Sequence, residues 1–358
     1  MRLAFYAPMK APDHPVPSGD RSIARALLSA LRLVGTEVDL ASRLRSREGK
    51  GDPARQREIE EAAKEEVARL VNAQEAGAWQ AWITYHNYYK APDLIGRPVA
   101  KALGIPYVQI ESTRARKRLT GPWAGFARQA EAAADAAQLI FYFTQRDAET
   151  LQRDAPEEQR LVHLRPFLDR ADLPMQSELS GPMLSVGMMR EGDKLASYRI
   201  IAETLDEMSD LDWRLDIAGD GPPRGQVEAL MQPFGDRVRF LGMLDAERLQ
   251  RAYRKASLLL WPGVNEALGM VYLEAQSAGV PVVAQDRPGM QELLAPAAYP
   301  AIAEGAQGLA RMARAYLRNA ALRQEAGRAA RAHVQAHHLL PAAARTLAEG
   351  LARIGITP

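Results

Sequence analysis

Two glutamates, Glu266 and Glu274, stand on either side of Gly269 within residues 261–283, which read WPGVNEALGMVYLEAQSAGVPVV. A strand ends at Pro262-Gly263, a short loop holds Asn265 and Glu266, and a helix opens at Gly269 and closes at Gly279 before Pro281. The amides of Leu268, Gly269, Met270 and Val271 then lie at a helix N-terminus, where unpaired N–H groups and the helix dipole favour phosphate oxygens. Glycine at 269 lets a bulky anion come close to the backbone. Taken singly, Glu274 is an ordinary helix glutamate and Glu266 a loop acid beside a helix N-terminus. Together the spacing points to a ligand that carries phosphate.

The elements that must position these residues alternate along the whole chain. Its 358 residues suit two domains. Strand-length apolar runs fall at 3–8, 36–41, 81–86, 106–110, 139–144 and 160–167, and again at 183–188, 213–219, 238–241, 258–261 and 280–284. Between the two sets lies a polar, proline-containing passage, 169–182, read as the linker. A helix over 22–34 follows the N-cap sequence Ser18-Gly19-Asp20, and a densely charged one over 53–72 reads as a solvated face. Residues 304–354 are Ala/Arg-rich and helical. Strands alternating with helices predict parallel βαβ units, hence an α/β fold with two Rossmann-like, doubly wound domains and C-terminal helices. The expected boundaries are 1–170, 171–335 and a final helix, 336–358, packing back on the first domain.

Composition excludes several classes. Lys+Arg 46 against Asp+Glu 44 leaves a net charge of +2, too balanced for a dedicated nucleic-acid binder. With no cysteine there is no disulfide, thiolate metal site or cysteine nucleophile, which fits a reducing, cytoplasmic setting. No run reaches the about 18 apolar residues of a membrane-spanning helix.

The Glu266-x7-Glu274 spacing, followed by Glu-Ala-x-x-Ala-Gly-x-Pro-Val-Val, resembles the GT-B retaining glycosyltransferases of family 4. Ser185-Val186-Gly187 with Lys194, then Ile217–Pro222 and Val238–Gly242, occur in that family's order, and Ser18-Gly19-Asp20-Arg21 gives a looser match in the first half. The resemblance implies two domains facing a central cleft and a metal-independent, retaining transfer of a hexose from a nucleotide sugar. A UDP-sugar is favoured, with GDP-mannose or ADP-glucose as alternatives, and the acceptor is a hydroxyl on a glycan, lipid or small molecule. By the same resemblance Glu274 accepts from the ribose hydroxyls and Glu266 lies beside the transferred sugar. Lys194 and the amides of 268–271 hold the leaving diphosphate. Gly19, Gly187 and Gly242 let backbone approach the donor. No cofactor beyond the donor substrate is implied.

The chain departs from the family at two places. Met188 stands where an arginine usually grips the donor phosphates, and Arg190 is close enough in sequence to replace it. Glu111-Ser112 follows the fourth strand, where relatives carry a histidine near the acceptor; His86, after the preceding strand and followed by Asn87-Tyr88-Tyr89, is the substitute expected to act there. Arg114, Arg116, Lys117 and Arg118 form a basic cluster suited to peripheral contact with an anionic membrane or acceptor, or to a plain solvated loop. Asp210-Leu211-Asp212 reads as a turn and His337-His338 as structural. Two other readings stay open: a partner subunit that has lost activity, supported by Met188, and an NAD-type oxidoreductase or epimerase, disfavoured because residues 9–20 lack Gly-x-Gly-x-x-Gly.

Overall fold

The computed structural model describes residues 1–16, 18–73, 77–266 and 268–357. Ala267, part of the Glu266–Glu274 motif, lies outside the described residues. The chain divides into two units, one of residues 1–165 with 340–358, the other of 166–339.

In the first unit, β1 (Arg2–Tyr6), α1 (Gly19–Leu33), β2 (Glu37–Ser42), α2 (Pro53–Val71), β3 (Ala81–Asn87) and α3 (Gly96–Leu103) are followed by β4 (Tyr107–Ser112), α4 (Ala124–Ala136), β5 (Leu139–Tyr142), α5 (Gln145–Asp154) and β6 (Arg160–His163). The strands pair in parallel in the order β2-β1-β3-β4-β5-β6. The order reverses between β1 and β3, and at such a switch point an open α/β sheet leaves a crevice at the carboxyl ends of its strands. The strands read as near-continuous apolar runs because both faces are covered; Leu3, Phe5, Ile83, Val108 and Ile140 are buried. Helix α1 begins three residues earlier than expected, at Gly19, because the Ser18 side chain accepts from the Arg21 N–H and caps it.

The second unit runs β7 (Met183–Val186), α6 (Asp193–Asp206), β8 (Leu215–Ala218), α7 (Arg224–Met231), β9 (Val238–Gly242), α8 (Ala246–Lys255), β10 (Leu259–Leu260), α9 (Met270–Ser277), β11 (Val282–Val283), α10 (Gly305–Arg318) and α11 (Ala320–His337). Its parallel order is β11-β10-β7-β8-β9, with the switch point between β7 and β10. The core centres on Trp261, Tyr198, Tyr272 and the apolar strands around them.

The expected helix over 304–354 is three helices. Asn319 ends α10 and its side chain accepts from the Leu322 N–H to start α11. The third, α12 (Leu340–Ala352), belongs to the first unit, where Gly350 lies so close to the Phe141 ring that a Cβ would come within 2.4 Å of it.

Candidate functional site

Two clusters of polar side chains sit at the two switch points. In the second unit, Lys194 is carried by the first turn of α6, after β7, and Glu266 by the loop after β10. Sheet order makes β7 and β10 neighbours, so residues distant in sequence meet: Lys194 Nζ lies 2.5 Å from Glu266 Oε2. The Trp261 indole N–H donates to the same oxygen at 3.1 Å, and the ammonium lies 5.1 Å from the centre of the indole ring. Further bonds tie the loop to α6: the Val264 N–H donates to Ser197 Oγ at 3.1 Å, and Asn265 Nδ2 donates to Asp193 Oδ1 at 2.9 Å.

Backbone forms the other wall. Gly187 follows β7 and packs on Trp261, where a Cβ would lie 2.5 Å from the ring; its carbonyl accepts from the Tyr198 hydroxyl at 2.8 Å. Gly269 has φ +47° and opens α9, so the amides of Met270 and Val271 start a helix before any intrahelical acceptor is available to them. Leu268 is half-buried beside them. Gly242, with φ +67°, ends β9, and its carbonyl accepts from the Gly219 N–H at 2.9 Å.

Glu274, one turn into α9, is half-buried and accepts from the Tyr253 hydroxyl of α8 at 2.9 Å. Burial pushes its carboxyl above the usual range and the Tyr253 donor only partly opposes this. Arg190 and Met188 are both exposed with buried Met189 between them, the alternation of an extended segment, which sends Arg190 to the side Met188 occupies.

In the first unit, His86 near the end of β3 meets Asp20 of α1, with Nδ1 and Oδ1 2.9 Å apart, and Glu111 Oε2 of β4 lies 3.8 Å from the same nitrogen. Both His86 (φ +68°) and Glu111 (φ +59°) adopt the left-handed region that non-glycine residues seldom visit. Burial works against a charged imidazole, but the Glu111, Asp20 and Asp147 carboxylates outweigh it and raise the His86 pKa. Burial, with Asp147 and Asp20, raises Glu111 despite His86. The hydroxyl of buried Tyr85 and Glu111 Oε2 have no hydrogen-bond partner among the described residues. Gly19 opens α1 beside Asp20, and a Cβ there would meet nothing within 4 Å, so packing does not demand glycine.

The structure thus brings Lys194, Glu266, Gly187 and the α9 N-terminus to one switch point, and His86 to the other. It corrects the basic cluster. Arg114 is not part of a solvated patch: it is buried and paired with Glu131 at 2.9 Å and Asp135 at 2.7 Å, because the chain after β4 turns it onto α4. Arg116 pairs with Asp154 at 3.1 Å, Arg118 stacks over Tyr89, and Lys117 is exposed. The sequence reading missed Trp261 and Tyr253 as partners of the two glutamates; Trp261 adjoins the motif, but nothing near Tyr253 in sequence signals its role. Asp210 pairs with Arg314 and Arg318, and buried His338 meets the Pro166 carbonyl oxygen and the His333 ring. Among the described residues no group of three or more His, Asp or Glu is placed to hold a metal, and no helix is long and apolar enough to cross a membrane.

Comparison with known proteins follows the same division. Residues 183–319 match the family described as glycosyl transferases group 1. The chain is 27% identical to the D-inositol 3-phosphate glycosyltransferase of Streptomyces avermitilis, over 76% of this chain and 68% of that one. It is 39% identical to an uncharacterised glycosyltransferase of Methanocaldococcus jannaschii, over 23% of this chain and only 21% of the other. Among solved structures it resembles sucrose-phosphate synthase from Thermosynechococcus elongatus (TM-score 0.68, 17% identity, 99% of both chains). It also resembles Anabaena HepE in complex with UDP and glucose (TM-score 0.67, 17% identity, 99% of this chain and 100% of the other). The shared fold is GT-B.

Proposed function

We propose that the chain acts as a glycosyltransferase of the group 1 family that its residues 183–319 match, moving a hexosyl group, with retention and without a divalent metal, from a nucleotide sugar to an acceptor hydroxyl. The donor is a UDP-sugar by preference, as in the UDP-glucose complex of HepE. The observation that carries the reading is the meeting of Lys194 and Glu266 at 2.5 Å beside the N-terminus of α9.

A sugar diphosphate needs two things at once: positive potential where the phosphate leaves, and polar acceptors around the hexose. Lys194 and the amides at 268–271 supply the first, with Arg190 standing in for the arginine absent at Met188. Glu266, held by the Trp261 N–H, supplies the second when the diphosphate draws Lys194 away from it. Glu274 accepts from the ribose hydroxyls, and Gly187, Gly242 and Gly19 let backbone approach the donor. The bond from the anomeric carbon to the phosphate oxygen breaks and a bond to the acceptor oxygen forms. The acceptor proton passes to the released phosphate oxygen. His86, held by Asp20 and Glu111, orients the acceptor hydroxyl.

Calorimetry with UDP, GDP, ADP and NAD in metal-free buffer tests this reading. Binding of one nucleoside diphosphate, weakened in Glu274→Ala, is the expected result. Preference for NAD, or no diphosphate binding, overturns it; binding without transfer to any acceptor marks an inactive partner subunit.

A further inference from the structure

Beyond His86, the first unit presents an arrangement that the donor chemistry does not use. Tyr88 follows β3, and its ring lies 4.9 Å from His86; Tyr89 is 5.6 Å from Tyr88, and Trp123 is 5.8 Å from Tyr89. Cations surround this run of rings. The Arg118 guanidinium lies 5.1 Å from the Tyr89 ring, Lys90 Nζ lies 4.9 Å from the Trp123 ring, and Arg47 is close enough to act electrostatically on the Tyr88 hydroxyl. The loops are pinned: the Glu48 N–H donates to the Lys90 carbonyl at 2.8 Å, and the Trp123 indole N–H donates to the Glu48 carbonyl at 3.3 Å.

The carboxylates that could neutralise these cations are committed elsewhere. Glu48 accepts from the N–H groups of Lys50, Gly51 and Asp52. Asp13 pairs with Arg43, and Asp20 and Glu111 face His86. Among the described residues Arg47, Lys90 and Arg118 pair with no carboxylate, and Arg118 Nε is buried without a hydrogen-bond partner. A guanidinium over an aromatic ring keeps N–H groups available to a phosphate-type oxyanion. Two unpaired cations over the Tyr89 and Trp123 rings, with Arg47 near Tyr88, repel one another until an anion joins them.

We propose that Arg47, Lys90 and Arg118 form an anion site that grips a phosphate group on the acceptor, one aromatic ring away from the hydroxyl held at His86. This rests on the reading that the first unit takes the acceptor. Two sources carry that chemistry, a soluble phosphorylated sugar or polyol and the phosphate of an anionic lipid headgroup.

The intact protein is titrated at physiological salt with glucose 6-phosphate and with glucose. In parallel it is sedimented with phosphatidylglycerol–phosphatidylcholine vesicles and with phosphatidylcholine alone. The expected result is a preference of about tenfold or more for one phosphate-bearing or anionic probe over its uncharged counterpart, as charge-assisted bonds require. Arg47→Gln reduces that preference, and Arg47→Gln with Arg118→Gln abolishes it, while UDP affinity is unchanged. Preference for glucose 6-phosphate identifies the soluble source, and preference for anionic vesicles alone identifies the lipid. No preference for either probe, or one that survives in the folded double variant, overturns the proposal. Loss of UDP binding in the unmodified protein breaks the donor reading instead.

Discussion

The two units end their strands differently. In the second, β7 and β8 run directly into Gly187 and Gly219, β9 ends on Gly242, and β10 reaches Gly263 three residues on. A Cβ at Gly219 would lie 1.9 Å from the Gly187 carbonyl oxygen, so the strand ends close to this distance only with glycine. Among the described residues of the first unit no strand is followed directly by glycine, and β3 and β4 instead hold His86 and Glu111 in the left-handed region. Each such residue costs roughly 1–3 kcal/mol, a strain that surrounding packing must offset. The glycines of the second unit leave backbone amides open, which on the proposed reading suits a diphosphate; His86 and Glu111 of the first unit aim side chains, which on that reading suits an acceptor.

The largest expected effect tests whether backbone alone serves the second unit. Lys194→Ala is expected to lower the transfer rate by about 10²–10³, the loss typical of one preorganised group at a developing charge. A fall below threefold in steady-state assays would show that the α9 amides carry the diphosphate without a cation.

Next comes Glu274→Ala, expected to weaken nucleotide binding by about 1.5–3 kcal/mol through lost charge-assisted contacts. Unchanged UDP affinity in a folded variant removes Glu274 from the ribose site. Glu266→Ala sharpens the division within one loop. It should spare UDP binding and cut transfer by about tenfold or more, the pattern of a contact made only in the transition state. Full transfer activity would dismiss that role. On the other side of the comparison, His86→Ala should lower acceptor turnover by about tenfold with UDP affinity intact. A matched loss in both would mean that the two clusters do not divide the work.

Much of this organisation was legible in the chain, and the exceptions have physical causes. The eleven strands among the described residues were readable because strands of a doubly covered parallel sheet are apolar on both faces. Strand lengths were less so: residues 280–284 are buried, but only Val282 and Val283 join the ladder. Lys194 and Glu266 could be named as candidates from the family's motifs before their contact was visible. The Asp20–His86–Glu111 cluster could not, because it depends on β3 pairing with both β1 and β4, and periodicity does not encode sheet order. Arg114 shows the same limit: composition reveals a charge, but not that it turns inward to two carboxylates on α4.

The smallest effect concerns what the proposed ribose contact of Glu274 would cost the second unit. Burial raises the Glu274 pKa above its unfolded value, so the folded state binds that proton more tightly than the unfolded chain does. Its stabilising contribution is present below the unfolded pKa and is lost as pH rises through the folded one, leaving a penalty at neutral pH. Glu274→Gln removes the titration but keeps an acceptor for the Tyr253 hydroxyl. The variant should melt roughly 2 °C higher at pH 7, a modest gain for a domain of this size. That advantage should vanish in acid, where the native glutamate is protonated. UDP binding should weaken at the same time, because a neutral amide accepts less strongly than a carboxylate from the ribose hydroxyls. A variant that melts lower at pH 7 would mean that Glu274 stabilises the unit in its ionised form, and one with the same difference at every pH would mean that folding does not shift its carboxyl. The opposition between a binding carboxylate and its buried setting would then be wrong.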